Sequence, residues 1–327
     1  MAGSSPSMST ATAIPLVDLA PWFGGGAGER DAVAASLDHA FATAGFAVIV
    51  GHGVDPTLGP ALRAEARWFF AGDEAEKDQV RADALGRPGW IPPGVEANGY
   101  VMGVETPPDL KESLSFFPGH LPDRAAFVPP NRWPVGRPGL RDAAEAWITA
   151  ADALYLELLR IAARAVGLAE GTFADASTNA ANNLYVNWYP PLSHIGEPLP
   201  GQFRIGPHAD FGVLTLLDRE PGAGGLQVLA PGADPDTGWI DAPFVPGALT
   251  VNVGDLLALW SGGRWHSATH RVLPPPLHAP DESLVSLIYF AEGDADALIV
   301  PISGDAEPVL AGEFLQQKLA EISVAVS

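Results

Sequence analysis

The spacing of apolar positions divides the chain into a helical first half and a strand-rich second half. In residues 30–44 and 57–72, apolar side chains recur at intervals of three and four, which predicts two helices, and Gly45 is a suitable stop for the first. Residues 139–166 continue this spacing over a longer stretch, which predicts a long helix that supports a sheet. Residues 84–110 are rich in Gly and Pro and predict a loop.

From about residue 183 the pattern changes to short apolar runs separated by Gly and Pro, which predicts β-strands. The predicted strands are 184–189, 212–217, 226–229, 248–253, 269–273, 284–290 and 298–301. Short strands at this spacing are typical of a sandwich or jelly roll. Residues 312–324 predict a closing helix that places Phe314, Leu315 and Leu319 on one face.

These elements indicate a protein of mixed α and β structure that works as one functional unit. Residues 1–12, rich in Ser, Thr and Ala, are expected to form a disordered tail that lacks the pattern of a signal peptide. Residues 13–182 are expected to form an N-terminal helical region that contains the long supporting helix. Residues 183–327 are expected to form the strand-rich core and the C-terminal helix.

Composition narrows the possible partners. Of 327 residues, 47% are hydrophobic and 17% are charged, and no apolar run is long enough to span a membrane. The net charge of −21 and the absence of a basic run argue against nucleic-acid binding. The chain has no cysteine, which excludes disulfides and fits a cytoplasmic location, and a monomer or a small homo-oligomer is expected. Because the charge repels anions, a bound carboxylate needs a local cation or a metal ion.

His208, Asp210 and His270 are the most informative polar residues. Residues two apart on a strand point to the same face, so His208 and Asp210 can reach one ion, and His270 can approach from another strand. Two imidazoles and one carboxylate form a facial set that suits Fe(II) and leaves positions open for O₂ and an organic ligand. The alternative is a polar sheet edge without a metal ion.

Several motifs accompany these three residues in a fixed order. They are Ile-Pro-Leu-Val-Asp-Leu at 14–19, Gly-Phe-Ala-Val-Ile-Val-Gly-His-Gly at 45–53, Lys-Glu-Ser at 111–113, Asn-Trp-Tyr-Pro-Pro at 187–191, Gly-Gly-Leu-Gln-Val at 224–228, the segments 246–257 and 260–267, and His-Arg-Val at 270–272. In this order the series closely resembles the isopenicillin N synthase-like family of Fe(II)/2-oxoglutarate-dependent oxygenases, over residues 13 to 321. The abundance of Ala, Gly and Pro indicates a bacterial member.

The resemblance implies a double-stranded β-helix, or jelly-roll, catalytic core with flanking N-terminal helices and a C-terminal helix. It also implies an enzyme that uses Fe(II), O₂ and 2-oxoglutarate to hydroxylate, desaturate or cyclise a small, partly apolar metabolite, with release of succinate and CO₂. An Fe(II)-dependent oxidase that uses O₂ without 2-oxoglutarate is the alternative within enzymes. A metal-dependent binding protein without catalysis is the alternative outside them.

The cosubstrate end of the site departs from the family pattern. The resemblance makes Asn187, Tyr189 and Ser286 candidate 2-oxoglutarate ligands, although either of the first two could simply fill the barrel interior. Leu284 stands where the family has the arginine that binds the distal carboxylate of 2-oxoglutarate. Arg204 and Arg264 are the candidate replacements. Arg219 is interpreted as a surface charge.

Substrate contacts are expected from aromatic and apolar residues at the mouth of the core, because such groups line small-molecule pockets. The candidates are Trp90, Tyr100, Met102, Phe116, Phe211 and Trp260. For each of them, packing in the hydrophobic core is the alternative. Lys111 and Glu112 are expected to form an internal ion pair.

Overall fold

The computed structural model describes residues 13–83, 87–99, 106–119, 128–223 and 225–325. The helices of this part are α1 (Ala20–Gly24), α2 (Ala27–Thr43), α3 (Leu58–Phe70), α4 (Glu74–Asp78), α5 (Pro138–Ala165), α6 (Gly171–Ala174), α7 (Leu192–Ile195), α8 (Asp255–Trp260) and α9 (Ala311–Ala325). The predicted tail, residues 1–12, lies outside the described residues. Within them, no helix is both long and apolar enough to cross a membrane.

Two facing sheets form the core. The strands are β1 (Leu16–Asp18), β2 (Phe46–Val50), β3 (Gly89–Ile91), β4 (Glu112–Phe116), β5 (Asn183–Tyr189), β6 (Ile205–His208), β7 (Leu214–Asp218), β8 (Leu226–Leu229), β9 (Trp239–Asp241), β10 (Leu249–Val253), β11 (His270–Val272), β12 (Leu284–Ala291), β13 (Leu298–Ile299) and β14 (Val309–Leu310). The larger sheet has the order β1-β2-β10-β7-β12-β5-β4-β3, and the smaller has the order β6-β11-β8-β9. Neighbours are antiparallel throughout both sheets except for the parallel pair β1 and β2.

Side chains from both sheets fill the space between them. Phe46 and Val48 of β2 form one buried cluster with Leu226 and Val228 of β8. Because alternate residues of a strand face opposite sides, each strand of the larger sheet can contribute to this interior and to a second apolar layer outside it. The two-layer arrangement follows from the alternation seen in the sequence.

The long helix α5 packs on the outer face of the larger sheet together with α2 and α3. Its buried side chains share one large cluster with residues of β5, β7, β10 and β12. One contact is an edge-to-face pair between Trp147 of α5 and Tyr289 of β12, whose ring centroids are 5.8 Å apart. The prediction of a long helix that supports a sheet is therefore confirmed, and the helix gives the sheet a rigid backing.

Sequence predictions and structure differ most in residues 84–110. The composition of this segment predicts a loop, but strand β3 forms within it and pairs with β4. Gly89 begins the strand and has a φ of +127°, which favours glycine. Its backbone lies so close to Val80 that a Cβ at this position would be 2.3 Å from the Val80 carbonyl oxygen. Gly and Pro around a three-residue strand conceal it, since both residues usually indicate turns.

Candidate metal centre

Three side chains that can bind a metal ion meet at the edge of the smaller sheet. His208 closes β6, Asp210 follows two residues later, and His270 opens β11. His208 lies opposite His270 in the antiparallel pair of β6 and β11, and the two ring centroids are 4.2 Å apart. One ligand atom from each of the three residues lies within 4.8 Å of the others. The residues that the sequence analysis selected as metal ligands therefore converge.

Asp210 turns one carboxylate oxygen toward both histidines. Its Oδ2 accepts hydrogen bonds from the Thr215 hydroxyl at 2.6 Å and the Asn252 amide at 2.7 Å. Its Oδ1 lies 3.6 Å from Nε2 of His208 and 3.8 Å from Nε2 of His270. Two atoms that each bind one ion at about 2.1 Å are about 3 to 3.6 Å apart at ordinary coordination angles. A small inward shift would let all three bind the same ion.

Backbone carbonyl groups orient both imidazole rings. Nδ1 of His208 donates to the Gly206 oxygen at 2.9 Å, and Nδ1 of His270 donates to the Ala268 oxygen at 3.1 Å. A carbonyl oxygen only accepts, so each Nδ1 carries a proton and each neutral ring keeps a lone pair on Nε2. Both lone pairs lie beside Oδ1 of Asp210, which is an arrangement that a divalent cation stabilises.

The protonation states also suit metal binding. Burial, with a smaller contribution from His208, lowers the pKa of His270 to about 4. Burial alone would raise the pKa of Asp210. The two imidazoles and the hydrogen bonds from Thr215 and Asn252 together have the larger effect, and they hold the pKa of Asp210 below its usual range. His270 is thus neutral and Asp210 ionised at neutral pH, as metal ligands must be.

A narrow cavity of about 80 Å³ lies between the two sheets and includes the three residues in its walls. We call it the inner cavity. Asn187 and Tyr189 line it from one face of β5, as their spacing predicts, and Ser286 lies opposite Asn187 on β12. The Tyr189 hydroxyl forms hydrogen bonds with the side chains of Asn187 and Ser286, and burial raises the pKa of Tyr189, so the phenol stays neutral.

The two arginines proposed to replace the missing cation lie in different places. Leu284 and Arg204 both line the inner cavity. Arg204 is 1% exposed and forms an ion pair with Glu282 at 2.7 Å, while its Nε is buried without a hydrogen-bond partner among the described residues. Arg264 forms an ion pair with Asp38 at 2.6 Å and does not line the cavity. The prediction for Arg264 is wrong, because its partner on α2 holds it at the surface.

Arg219 is a cavity residue that the sequence analysis missed. The sequence alone suggests a surface charge, but Arg219 lines the inner cavity together with Thr215 and Leu217 of β7. These three residues alternate along one strand face, so the alternation could have placed Arg219 inside. Its Nη2 donates to the carbonyl oxygens of Ala242 at 3.3 Å and Pro243 at 2.6 Å.

A larger cavity of about 340 Å³ lies on the other side of the metal centre, and we call it the outer cavity. Asn187, His208 and Asp210 line both cavities, which places the metal centre between them. Helix α9 contributes Leu315, Gln316 and Leu319 to the outer cavity, and further walls come from Phe117, Asn183, Tyr185, Phe211 and Phe290. The lining is mainly apolar with a few polar groups, as in many small-molecule sites.

Glu292 is the acid of the outer cavity. Burial, with a contribution from the Asp210 carboxylate, raises the pKa of Glu292 to about 8. The Glu292 side chain lies close to the backbone that follows Asp210, because a Cβ at Gly212 would be 2.7 Å from Glu292 Oε1. Glu292 continues the alternation of Ser286 and Phe290 beyond the end of β12, a signal that sequence reasoning did not use.

Of the predicted aromatic substrate contacts that the structure describes, Phe211 alone lines the outer cavity. Trp90 is 1% exposed, Phe116 is 0% exposed and Trp260 is 4% exposed, and all three belong to the large hydrophobic cluster behind the sheet. The predictions for these three are wrong because aromatic side chains pack equally well in a core. Tyr100 and Met102 lie outside the described residues.

Lys111 and Glu112 do not form the expected ion pair with each other. Consecutive residues of an extended chain point to opposite faces. Lys111 therefore reaches the outer cavity, where it forms an ion pair with Glu96. Glu112 turns toward the core and binds Lys77 at 3.0 Å and the Trp90 indole nitrogen at 2.6 Å.

Two family models match the chain. The N-terminal model, described as "non-haem dioxygenase in morphine synthesis N-terminal", covers residues 14–136. The second, described as "2OG-Fe(II) oxygenase superfamily", covers residues 180–291 and contains all three candidate metal ligands.

Relatives and solved structures agree with these matches over most of the chain. Validamycin A dioxygenase of Streptomyces hygroscopicus subsp. limoneus is 36% identical over 89% of this chain and 80% of its own. A proline hydroxylase of Petromyces alliaceus is 30% identical over 84% of this chain and 86% of its own. The crystal structure of a full-length Neurospora crassa protein in complex with α-ketoglutarate and thymine has a TM-score of 0.81 and 27% identity, over 95% of this chain and 97% of that one.

Proposed function

The chain belongs to the 2OG-Fe(II) oxygenase superfamily, and on this premise we propose that it oxidises a small, partly apolar metabolite bound in the outer cavity. The chain is a 2-oxoglutarate-dependent dioxygenase with a jelly-roll core, which confirms the predicted family, fold, activity and cofactors. The alternative of an oxidase that does not use 2-oxoglutarate receives no support. The observation that carries the proposal is the position of the three metal-binding side chains between the two cavities.

His208, Asp210 and His270 would hold the iron. The free lone pairs on both Nε2 atoms and the unshared Oδ1 of Asp210 fit a divalent ion. Bound Fe(II) supplies, with O₂ and 2-oxoglutarate, the oxidising power for attack on an unactivated C–H bond, with release of succinate and CO₂. Thr215 and Asn252 fix the Asp210 carboxylate so that the same oxygen always faces the ion.

Asn187, Tyr189 and Ser286 would receive 2-oxoglutarate in the inner cavity. They form a hydrogen-bonded cluster in a space closed by two sheets, so each donor has a restricted orientation before the ligand binds. Leu217, Leu284 and Ile288 belong to the apolar part of the lining, which excludes water around the carbon chain of the ligand. The inner cavity, at about 80 Å³, is smaller than the outer cavity, at about 340 Å³, so we assign the small diacid to the inner one.

The substrate would lie in the outer cavity with its reacting carbon near His208 and Asp210. Phe211, Tyr185 and Phe290 offer apolar contacts, and Asn183, Gln316 and Glu292 offer hydrogen bonds. The relatives named above are a validamycin A dioxygenase and a proline hydroxylase, and the Neurospora crassa protein binds thymine. A small, partly apolar metabolite that carries some polar groups and no net negative charge fits this lining and the charge of −21 on the chain.

The test is a coupled assay on purified protein. Fe(II) is titrated anaerobically, and O₂ uptake, succinate and CO₂ are then measured with 2-oxoglutarate and a panel of neutral polyols, amines, nucleobases and carboxylic acids. We expect one equivalent of Fe(II) to bind and a neutral or amine-bearing compound to stimulate succinate formation. Turnover without succinate, or the strongest stimulation by an anionic compound, would contradict the proposal.

Three broader properties stay proposals. We expect the enzyme to act in the cytoplasm, because the chain has no cysteine and its cosubstrate is a central metabolite. We also expect a monomer or a small homo-oligomer that does not bind nucleic acid. Cell fractionation, light scattering after size-exclusion chromatography and a gel-shift assay test the three statements separately.

A further inference from the structure

We infer that Arg219 binds the distal carboxylate of 2-oxoglutarate and thereby replaces the arginine that is missing at position 284. The inference rests on the proposed function, because it takes the inner cavity to be the 2-oxoglutarate site. It assigns the cationic role to β7, a neighbouring strand, and to a residue that aligns with no arginine of the family motif.

A cation is required at this end of the cavity. The distal carboxylate of 2-oxoglutarate is charged at neutral pH, and an unpaired charge is costly to bury. Leu284 offers only methyl groups. Ser286 and Tyr189 can donate neutral hydrogen bonds, but charged donors form bonds about twice as strong. The chain must therefore supply a positive charge from another position.

The register of the larger sheet puts Arg219 in the right place. Strands β7 and β12 are antiparallel, with Asp218 opposite Leu287. Extending that pairing by one residue places Arg219 opposite Ser286. The two strands stay adjacent beyond the ladder, because the Glu220 carboxylate accepts a hydrogen bond from the Val285 backbone at 2.7 Å. Cross-strand neighbours share a face, so Arg219 and Ser286 approach the cavity side by side.

The charge of Arg219 is not compensated by an acid. Its Nη2 binds two backbone carbonyl oxygens, those of Ala242 and Pro243. Across the described residues, no carboxylate lies within ion-pairing distance of its guanidinium group. Burial lowers the pKa of Arg219, and the only titratable neighbour in the described part of the chain that opposes this shift is the Tyr189 phenol. An arginine remains protonated in proteins, so the inner cavity contains an unbalanced positive charge.

Arg204 is the competing cation, and its surroundings differ. It forms an ion pair with Glu282 at 2.7 Å, so a second carboxylate next to it would also face Glu282. Its guanidinium lies 5.5 Å from the centre of the Tyr189 ring. These contacts give Arg204 the role of a positioning residue that orients the phenol, and they leave Arg219 as the cation for the ligand.

Isothermal titration calorimetry on the Zn(II)-loaded protein tests the inference without turnover, since Zn(II) has no redox chemistry. The two ligands are 2-oxoglutarate and 2-oxovalerate, which has the same carbon chain without the distal carboxylate. We expect the parent to prefer 2-oxoglutarate by about 10- to 150-fold, the range for a hydrogen bond to a charged group. Arg219→Leu should remove this preference and leave the affinity for 2-oxovalerate nearly unchanged.

Further variants separate a lost contact from a damaged fold. Arg219→Gln keeps a donor for the Ala242 and Pro243 carbonyls and should lose the preference to the same extent. Arg219→Leu combined with Leu284→Arg should restore it. The matched control Arg264→Leu removes an arginine outside the cavity and should retain the preference for 2-oxoglutarate.

The outcomes distinguish this inference from the proposed function. If the parent binds no metal ion, or binds it but not 2-oxoglutarate, the proposed function fails. If the parent prefers 2-oxoglutarate and the folded Arg219→Leu and Arg219→Gln variants keep that preference, the role of Arg219 is refuted. Equal affinity of the parent for the two ligands also refutes it.

Discussion

The inner and outer cavities share the metal centre but are built in different ways. Most walls of the inner cavity are strand residues from two sheets, whereas the outer cavity also uses the segment around residues 95–98, the residues after β6 and helix α9. Most of these strands, though not the edge strand β6, have hydrogen-bonded neighbours on both sides. The inner cavity is therefore suited to a cosubstrate that is the same for every member of the family. The outer cavity can vary with its loops and its helix, as expected where substrates differ among relatives.

The two cavities also differ in charge. The inner cavity contains the cation Arg219, next to the balanced pair of Arg204 and Glu282. The outer cavity contains the ion pair of Lys111 with Glu96 and the acid Glu292, whose pKa burial raises to about 8. A dicarboxylate therefore meets an unbalanced cation in the inner cavity, whereas Lys111, the cation that lines the outer cavity among the described residues, is already paired with Glu96. This difference can keep the cosubstrate out of the substrate site.

Loss of the shared metal centre should disable both cavities, and it is the largest effect we expect. Asp210→Ala removes one of three ligands, so Fe(II) affinity should fall by more than about 100-fold, since even changes that only misorient a ligand cost 10- to 100-fold. Succinate formation should fall below detection. Fe(II) titration and a succinate assay measure both, and circular dichroism checks the fold. Asp241→Ala, at an exposed aspartate on β9, is the control. Unchanged turnover in Asp210→Ala would refute the ligand assignment.

The boundary of the outer cavity can be tested at Trp90, which the structure places in the core. Trp90→Ala should lower the free energy of unfolding by about 3–5 kcal/mol, the usual cost of removing a buried aromatic ring. The Michaelis constant for substrate should change little. Urea denaturation and steady-state kinetics on the same preparation measure these quantities. Phe211→Ala is the matched comparison, because Phe211 lines the cavity and its loss should raise the Michaelis constant. A nearly unchanged free energy of unfolding together with a raised Michaelis constant in Trp90→Ala would show that Trp90 lines the cavity.

The acid of the outer cavity should make the stability of the metal-free protein depend on pH. Burial, with a contribution from Asp210, raises the pKa of Glu292 from 4.5 to about 8, so the folded state favours the protonated acid. The stability that the folded protein gains by keeping Glu292 protonated is fully present below about pH 4.5. This stability is lost as the pH rises through 8. Glu292→Gln should remove the loss and stabilise the protein by roughly a few kcal/mol at alkaline pH.

Denaturant unfolding at several pH values in the presence of a chelator measures this dependence. Glu313→Gln, at an exposed glutamate on α9, should keep the pH dependence of the parent. A parent and a Glu292→Gln variant with parallel stability curves would show that Glu292 is ionised in the folded protein.

The smallest effect should be confined to the inner cavity. Ser286→Ala removes one neutral hydrogen bond, so the affinity for 2-oxoglutarate should fall by about 2- to 12-fold. The Michaelis constant for substrate should not change, because Ser286 does not line the outer cavity. Calorimetry and steady-state kinetics measure the two constants, with the exposed Ser36→Ala as control. A change in both constants would mean that the cavities are coupled.

The inner cavity was more predictable from sequence than the outer one. Alternation along a strand is local, so it placed Asn187 and Tyr189 on one face without knowledge of the fold. Arg219 could have been placed by the same rule, but its position opposite Ser286 depends on the pairing of β7 with β12. Arg264 was misjudged because its partner Asp38 lies 226 residues away in the chain.

The outer cavity depends on information that local patterns do not carry. Trp90, Phe116 and Phe211 have the same aromatic character, and only the tertiary arrangement decides which of them faces a ligand. Trp90 is packed behind the sheet through Glu112 and Lys77, and neither contact follows from spacing. Glu292 lies beyond the end of its strand, where alternation is usually no longer counted. Hydrophobic patterns therefore predict the layers of a fold better than the cavities between them.

Helix α9 links the outer cavity to the metal centre by a short path. Lys318 of α9 forms an ion pair with Asp255 at 2.7 Å, and the Asp255 amide donates to the backbone oxygen of Asp210 at 2.8 Å. For directed evolution this makes α9 an exchangeable part: its cavity-facing positions can be randomised to change substrate choice while Lys318 is retained. Every variant in such a library would then keep the same metal ligands and the same inner cavity.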